Sequence, residues 1–223
     1  MERLLDDEIV KQLAEMFESL KHPVALVFFG NKTDCEYCPQ TLQLLEEITV
    51  LSDKLELHTF DEDENPEELK KFNVDKVPGI VIASRKDGEI VDHGIRYAGI
   101  PAGHEFTSLI RDILMVSSGD SGLKQETREF LASLEKPIFL QVFVTPTCPY
   151  CPQAVVLAHQ MAYESPMVEA EMVEAMEFPM LANEFGVSGV PHTTINFGVS
   201  ELIGAAPEFV LLEKIRDVVD TET

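Results

Sequence analysis

Basic residues are scarce in this chain: 17 lysines and arginines stand against 40 aspartates and glutamates, for a formal net charge of −23. So acidic a surface repels phosphate backbones and anionic lipid, which makes nucleic acid and the inner membrane leaflet poor partners and weakly disfavours acidic substrates. Long apolar runs are missing as well. The longest, Pro23 to Gly30, is far too short to span a bilayer. The opening Met1-Glu-Arg-Leu-Leu-Asp-Asp has neither the basic nor the apolar stretch of a secretory signal, so a cytoplasmic location is expected. No glycine-rich phosphate cradle or Ser-His-Asp arrangement occurs, and no nucleotide, flavin or haem cofactor is expected. Cysteine is rare, with four in the chain and none isolated: Cys35-Glu-Tyr-Cys38 and Cys148-Pro-Tyr-Cys151. A reducing cytosol disfavours structural disulfides, which leaves redox or metal chemistry for such pairs.

The remainder is ordinary for a folded protein. A hydrophobic content of 45% with 26% charged residues excludes wholesale disorder, collagen-like repeats and a disulfide-dense miniprotein. The 223 residues suit one to two domains. Cys35 and Cys148 lie 113 positions apart, as do Cys38 and Cys151, Pro39 and Pro152, Val77 and Val190, and Pro78 and Pro191. One register held over more than forty residues marks a duplication. Upstream the offset becomes 114, pairing Pro23 with Pro137 and Phe29 with Phe143. Downstream, Glu105-Phe106 matches Glu208-Phe209, so the second copy is about ten residues shorter there, a hairpin-sized deletion. The polar, glycine-containing stretch Ser117–Gly122 marks the boundary, giving domains 1–118 and 119–223.

Each copy reads as a helix followed by β-α-β-α-β-β-α. Leu4, Leu5, Ile9, Leu13, Met16, Phe17 and Leu20 recur at helical spacing, and Leu123, Phe130, Leu131 and Leu134 do so in the second copy. The short apolar runs 24–29 and 138–144 read as buried strands, and a cysteine pair and then a helix follow each. Further strands are expected at 55–60, 80–84, 168–173 and 193–197, with a hairpin turn at Lys86-Asp87-Gly88. Short helices are expected at 66–72 and 178–185, and closing helices at 102–116 and 207–219. Tyr97-Ala98-Gly99 and Ile203-Gly204 are expected to mark a tight approach near the closing helices. The two halves are expected to pack through the faces opposite their cysteines.

Two chemistries compete for the cysteine pairs. Four thiolates match a zinc site on paper, but zinc ribbons keep their pairs tens of residues apart, and here Cys148 follows Cys38 by 110 positions. Each pair also has the same strand-before, helix-after context, which a shared ion does not require. In the redox reading, a cysteine at a helix N-terminus meets unsatisfied N–H groups and the positive end of the macrodipole, both of which favour thiolate. Cys35 and Cys148 are therefore the expected nucleophiles. Cys38 and Cys151, one turn inside their helices and less exposed, are expected to resolve the mixed disulfide.

A strand, Cys-x-x-Cys, helix and later Val-Pro resemble the thioredoxin and glutaredoxin superfamily, and Cys148-Pro-Tyr-Cys151 resembles the glutaredoxin tetrapeptide. Two such units in one chain are similar to the glutaredoxin-like protein disulfide oxidoreductases of thermophiles. The resemblance covers nearly the whole chain. It implies an α/β protein of two tandem thioredoxin-like domains, each a central mixed sheet flanked by helices. It also implies an enzyme that reduces, forms or isomerises protein disulfides, with the cysteine pairs as its only redox groups. Pro78 and Pro191 are implied to be cis and to lie beside the disulfides, with Val77 and Val190 offering backbone to an extended substrate strand. Electrons are expected from a thioredoxin-reductase-like flavoprotein or a small thiol.

The first site departs from the glutaredoxin tetrapeptide, with Glu36 where the second has Pro149 and with Asp34 just before Cys35. Two carboxylates disfavour the Cys35 thiolate, so the first pair is expected to be the more reducing. His192 is read as a surface or hydrogen-bonded residue, and Met161, Met167, Met172, Met176 and Met180 as core filling. Two alternatives remain: an electron carrier for a peroxiredoxin-type peroxide-reducing system, and a zinc or client-binding module without turnover.

Overall fold

The computed structural model describes residues 3–221, and the expected order of elements recurs in both halves. The first half runs α1 (Asp7–Phe17), β1 (Val24–Gly30), α2 (Cys38–Thr49), β2 (Leu55–Asp61), α3 (Pro66–Lys71), β3 (Gly79–Lys86) and β4 (Glu89–Ala98). After a single 3-10 turn, Gly103–Glu105, it closes with α4 (Phe106–Ser118). The second runs α5 (Gln125–Ala132), β5 (Ile138–Val144), α6 (Cys151–Glu164), β6 (Val168–Glu174), α7 (Pro179–Glu184), β7 (His192–Ile195), β8 (Ser200–Ile203) and α8 (Glu208–Thr221).

Local chemistry accounts for most of these boundaries. The Asp6 carboxylate accepts the Ile9 N–H at 2.8 Å and caps α1. Pro39 and Pro152 follow the first residues of α2 and α6, where a missing N–H leaves no intrahelical bond unmade. Asp87 and Gly88, at φ 53° and 85°, form the tight turn between β3 and β4. β1 is apolar throughout because both its faces are covered. Val24, Leu26 and Phe28 join the larger core layer with α1, α2 and α4, whereas Ala25, Val27 and Phe29 pack with Phe72 at the end of α3. In β5, Leu140, Val142 and Val144 likewise face α6, and Phe143 faces α7.

One mixed sheet holds all eight strands in the order β2-β1-β3-β4-β6-β5-β7-β8. The halves therefore join edge to edge and do not pack through the faces opposite their cysteines. The joint is a parallel ladder from Ile95↔Ala170 to Ala98↔Val173. It gives partners to the outer-edge N–H and C=O groups of the last four of the ten residues of β4. β8, its counterpart, has four residues and pairs with β7 alone, which is where the ten-residue deletion falls. β7 stops at Ile195, short of the expected end, because Asn196, Phe197 and Gly198 all take positive φ and turn the chain. Among the methionines, Met161 and Met172 are fully buried, but Met167, Met176 and Met180 are 39%, 73% and 85% exposed, so the core reading fails for those three. No helix among the described residues is long and apolar enough to cross a membrane.

Candidate active site

Each cysteine pair lies where a central strand hands over to a helix, and each is closed as a disulfide, with Cα–Cα distances of 5.4 Å and 5.5 Å. Cys38 and Cys151 are the first residues of α2 and α6, and so do not lie a turn inside them. The helix starts late because Tyr37 and Tyr150 serve as the capping positions and the proline that follows each cysteine fixes the φ of the first turn. The helix N-terminus still faces the expected nucleophile: the Cys151 N–H donates to Cys148 Sγ at 3.1 Å. Among the described residues this bond is made at the second site alone. Cys35 is half-buried, while Cys38, Cys148 and Cys151 are buried.

The Val77–Pro78 and Val190–Pro191 peptides are both cis. Pairing of Phe29 with Gly79, and of Phe143 with His192, sets each cis-proline beside the strand end that leads to its cysteines. The repeat extends to the next strand: the Gly99 N–H donates to Pro78 O and the Gly204 N–H to Pro191 O, both at 2.8 Å. Both glycines have positive φ, but only Gly99 marks a close approach. A Cβ there would lie 2.7 Å from Glu174 Cβ of the other half, whereas Gly204 faces open space.

β1 and β5 run in the same direction, so both disulfides open at one end of the sheet. Four strand spacings separate them, roughly 19 Å. Sulfurs that far apart share no coordination sphere, since a zinc–sulfur bond is about 2.3 Å long. Among the described residues no cluster of three or more His, Cys, Asp or Glu is placed to hold a metal.

Behind the second site lies a buried polar network that sequence spacing did not reveal. The Tyr97 hydroxyl donates to Asp112 Oδ2, and His159 Nδ1 meets the same oxygen at 2.5 Å. His159 Nε2 donates to Arg96 O at 3.1 Å, because a carbonyl only accepts. Tyr97 and Asp112 belong to the first half and His159 to α6 of the second, and all three are buried. Burial, with Asp112 alongside, holds the Tyr97 hydroxyl well above its ordinary range. Glu105, in the turn that packs on α6, is 1% exposed; burial raises its carboxyl to about 7 despite the Ser108 hydroxyl 2.6 Å from Oε2. Glu177 is raised to about 7 as well, by burial first and then by Glu174 and Glu36, while its Oε1 accepts the Ile100 N–H at 2.8 Å. The sequence marks Glu105 through the duplication, where Glu105-Phe106 matches Glu208-Phe209.

The His192 side chain is not on the surface, and among the described residues its ring nitrogens have no hydrogen-bond partner. It is 2% exposed and lies edge-on to Phe143, and its nearest carboxylate, Glu201, is 3.6 Å from Nε2.

Glu105 gives a pH-dependent stability of defined sign. Its folded pKa lies above the unfolded value of 4.5, so the folded state binds more protons between about pH 4.5 and 7, and stability falls as pH rises through that window. Glu105→Gln should therefore unfold at higher urea than the parent at pH 8, by up to about 3 kcal/mol, and match it near pH 4. Equal midpoints at pH 8 would contradict the assignment.

The repeated fold, the paired disulfides and the cis-prolines define a tandem thioredoxin-fold dithiol–disulfide protein. Residues 139–217 match the thioredoxin domain family. A crystal structure of a protein disulfide oxidoreductase from Aeropyrum pernix superposes with a TM-score of 0.89 at 30% identity, covering 98% of this chain and 96% of that one. On that likeness the chain belongs to the protein disulfide oxidoreductase family. An alkyl hydroperoxide reductase structure from Enterococcus faecalis is also similar, with a TM-score of 0.85 at 29% identity over 95% of this chain and 99% of that one. An alkyl hydroperoxide reductase of Pseudomonas aeruginosa is 27% identical over 86% of this chain, which spans 34% of that relative, about a third of its length.

Proposed function

We propose that the chain catalyses thiol–disulfide exchange on protein disulfides, with one exchange site in each of two domains, 1–118 and 119–223. The observation that carries this reading is the Cys151 N–H directed at Cys148 Sγ at the start of α6, beside a cis-proline. In the reduced protein that amide and the helix dipole stabilise the Cys148 thiolate. The thiolate attacks one sulfur of a substrate disulfide, and the other sulfur leaves and takes a proton from water. Cys151, having given its proton to solvent, then attacks Cys148 Sγ and releases the second substrate thiol. Two electrons pass to the substrate and the Cys148–Cys151 disulfide is left; run backwards, the same steps oxidise a dithiol. Cys35 and Cys38 take the corresponding roles in the first domain. Val77 and Val190 precede β3 and β7, outside the ladder, and with Pro78 and Pro191 they form the backbone platform for the substrate strand. The cysteines are the redox groups, re-reduced by a thioredoxin-reductase-like flavoprotein or a small thiol, and the cytoplasm is the compartment that suits this traffic.

A second reading, electron delivery to a peroxiredoxin-type system, is supported by the likeness to the alkyl hydroperoxide reductase of Pseudomonas aeruginosa over 86% of the chain. Reduction of insulin disulfides, measured beside peroxide reduction through an added peroxiredoxin, separates the two. Insulin turnover without peroxide turnover supports the first reading; the opposite result replaces it with the second.

The two pairs are expected to differ in potential. Asp34 and Glu36 flank Cys35, and the amide-to-sulfur bond belongs to the second site, so the Cys148 pair has the more stable reduced form. A difference of one unit in thiolate pKa corresponds to about 30 mV and tenfold in the equilibrium constant. Glutathione equilibria of C35S/C38S and C148S/C151S should find the Cys35 pair the more reducing; equal values or the reverse order refute this.

A further inference from the structure

The second site is covered on one side by a segment of the first domain. Leaving β4, which lies parallel to β6, the chain passes Gly99 against Glu174 and gives the Ile100 N–H to Glu177. It then closes on the loop before Cys148 through His104 N and Pro146 O, 3.0 Å apart. In the register of the duplication, Glu174, Glu177, Pro146 and Cys148 correspond to Asp61, Glu64, Lys32 and Cys35. At the first site those four counterparts, with Leu42 and Phe60, line a cavity of about 500 Å³ open to solvent. The strand beside it, β2, is the edge of the sheet. The place that the chain covers with its own backbone at one cysteine pair is thus accessible at the other.

We propose that this cavity and the outer edge of β2 receive an extended, non-acidic polypeptide segment of the protein exchanged at Cys35, running parallel to β2 as β4 runs along β6. The edge supplies main-chain N–H and C=O groups for strand addition. Asp61 is occupied by the Lys32 and Asp63 N–H groups, and Glu64 Oε1 pairs with Lys32 Nζ at 2.5 Å, which leaves the second oxygen of Glu64 to accept an incoming amide as Glu177 does; the two carboxylates outweigh the single ammonium and disfavour a carboxylate. Phe28 and Leu42, which line the cavity from the core layer that Ile100 joins at the second site, take one apolar side chain in the position of Ile100. The inference rests on Cys35 being an exchange site, and its test keeps the two apart.

A blocked peptide with the sequence of residues 97–103, Tyr-Ala-Gly-Ile-Pro-Ala-Gly, is added in trans to the reduced protein, and alkylation of each cysteine is followed by mass spectrometry. The expected result is saturable slowing of Cys35 by about fivefold or more, with Cys148 unchanged because its own seat is covered. Aspartate in place of the peptide's isoleucine should abolish the protection, as should Leu42→Trp, which fills the cavity; insulin turnover by the second pair reports that this variant has folded. No protection at millimolar peptide, equal protection of Cys148, or protection that survives Leu42→Trp overturns the proposal. If neither cysteine alkylates faster than free cysteine at neutral pH, the exchange reading itself fails.

Discussion

A variant with serine at both Cys35 and Cys148 is expected to lose protein-disulfide turnover by about a thousandfold or more, because both expected nucleophiles are gone. Cys38 and Cys151 survive in it, but each is more deeply buried than its partner: Cys38 is 5% exposed where Cys35 is half-buried, and Cys151 is 0% exposed against 7% for Cys148. The single variants should behave differently from each other. Cys148→Ser leaves the pair expected to be the better reductant, and Cys35→Ser leaves the pair expected to be the better oxidant. With dithiothreitol as electron source and insulin as substrate, Cys148→Ser should therefore retain the larger share of reduction. Substantial turnover by the double variant would show that the buried cysteines are accessible and that the roles are assigned the wrong way round.

The second large effect concerns stability. Asp112 is fully buried, and its Oδ2 serves both the Tyr97 hydroxyl and His159 Nδ1. Asp112→Ala removes that shared acceptor and leaves a buried phenol and a buried imidazole without it, at a cost of about 3–5 kcal/mol. The network ties β4 and α4 of one domain to α6 of the other, so the loss should fall on the joint between them. Urea unfolding followed both by far-ultraviolet circular dichroism and by tyrosine fluorescence is expected to show a lowered midpoint and transitions that no longer coincide. A loss below about 1 kcal/mol, with coincident transitions, would show the network to be dispensable.

How much of this was legible in the sequence follows from how local each feature is. The seven apolar residues of β1 and the Asp87-Gly88 turn carry their structure in adjacent positions, and the Cys-x-x-Cys and Val-Pro pairs stand out because the duplication states them twice. The joint between the domains is not local. Which strand an exposed edge accepts leaves no mark on either sequence, and the extra length of β4 read merely as a deletion in the other copy. Tyr97, Glu105, Asp112 and His159 come from a strand, a turn and two helices, so no spacing rule links them. His192 misled for a similar reason, since its burial is imposed by β5 and β8 on either side and not by its neighbours in the chain. The end of β7 was readable in principle, because Asn196 and Gly198 tolerate positive φ and bracket the turn.

An unbroken ladder from β2 to β8 makes the molecule a ruler. Hinged modules could swing their sulfurs together; here four rows of main-chain bonds hold them at a set spacing on one rim. Reducing equivalents passing from the first domain to the second must ride on a courier thiol, or on a client long enough to touch both ends of the span at once, in which case the second engagement is intramolecular and the grip is tightened by avidity.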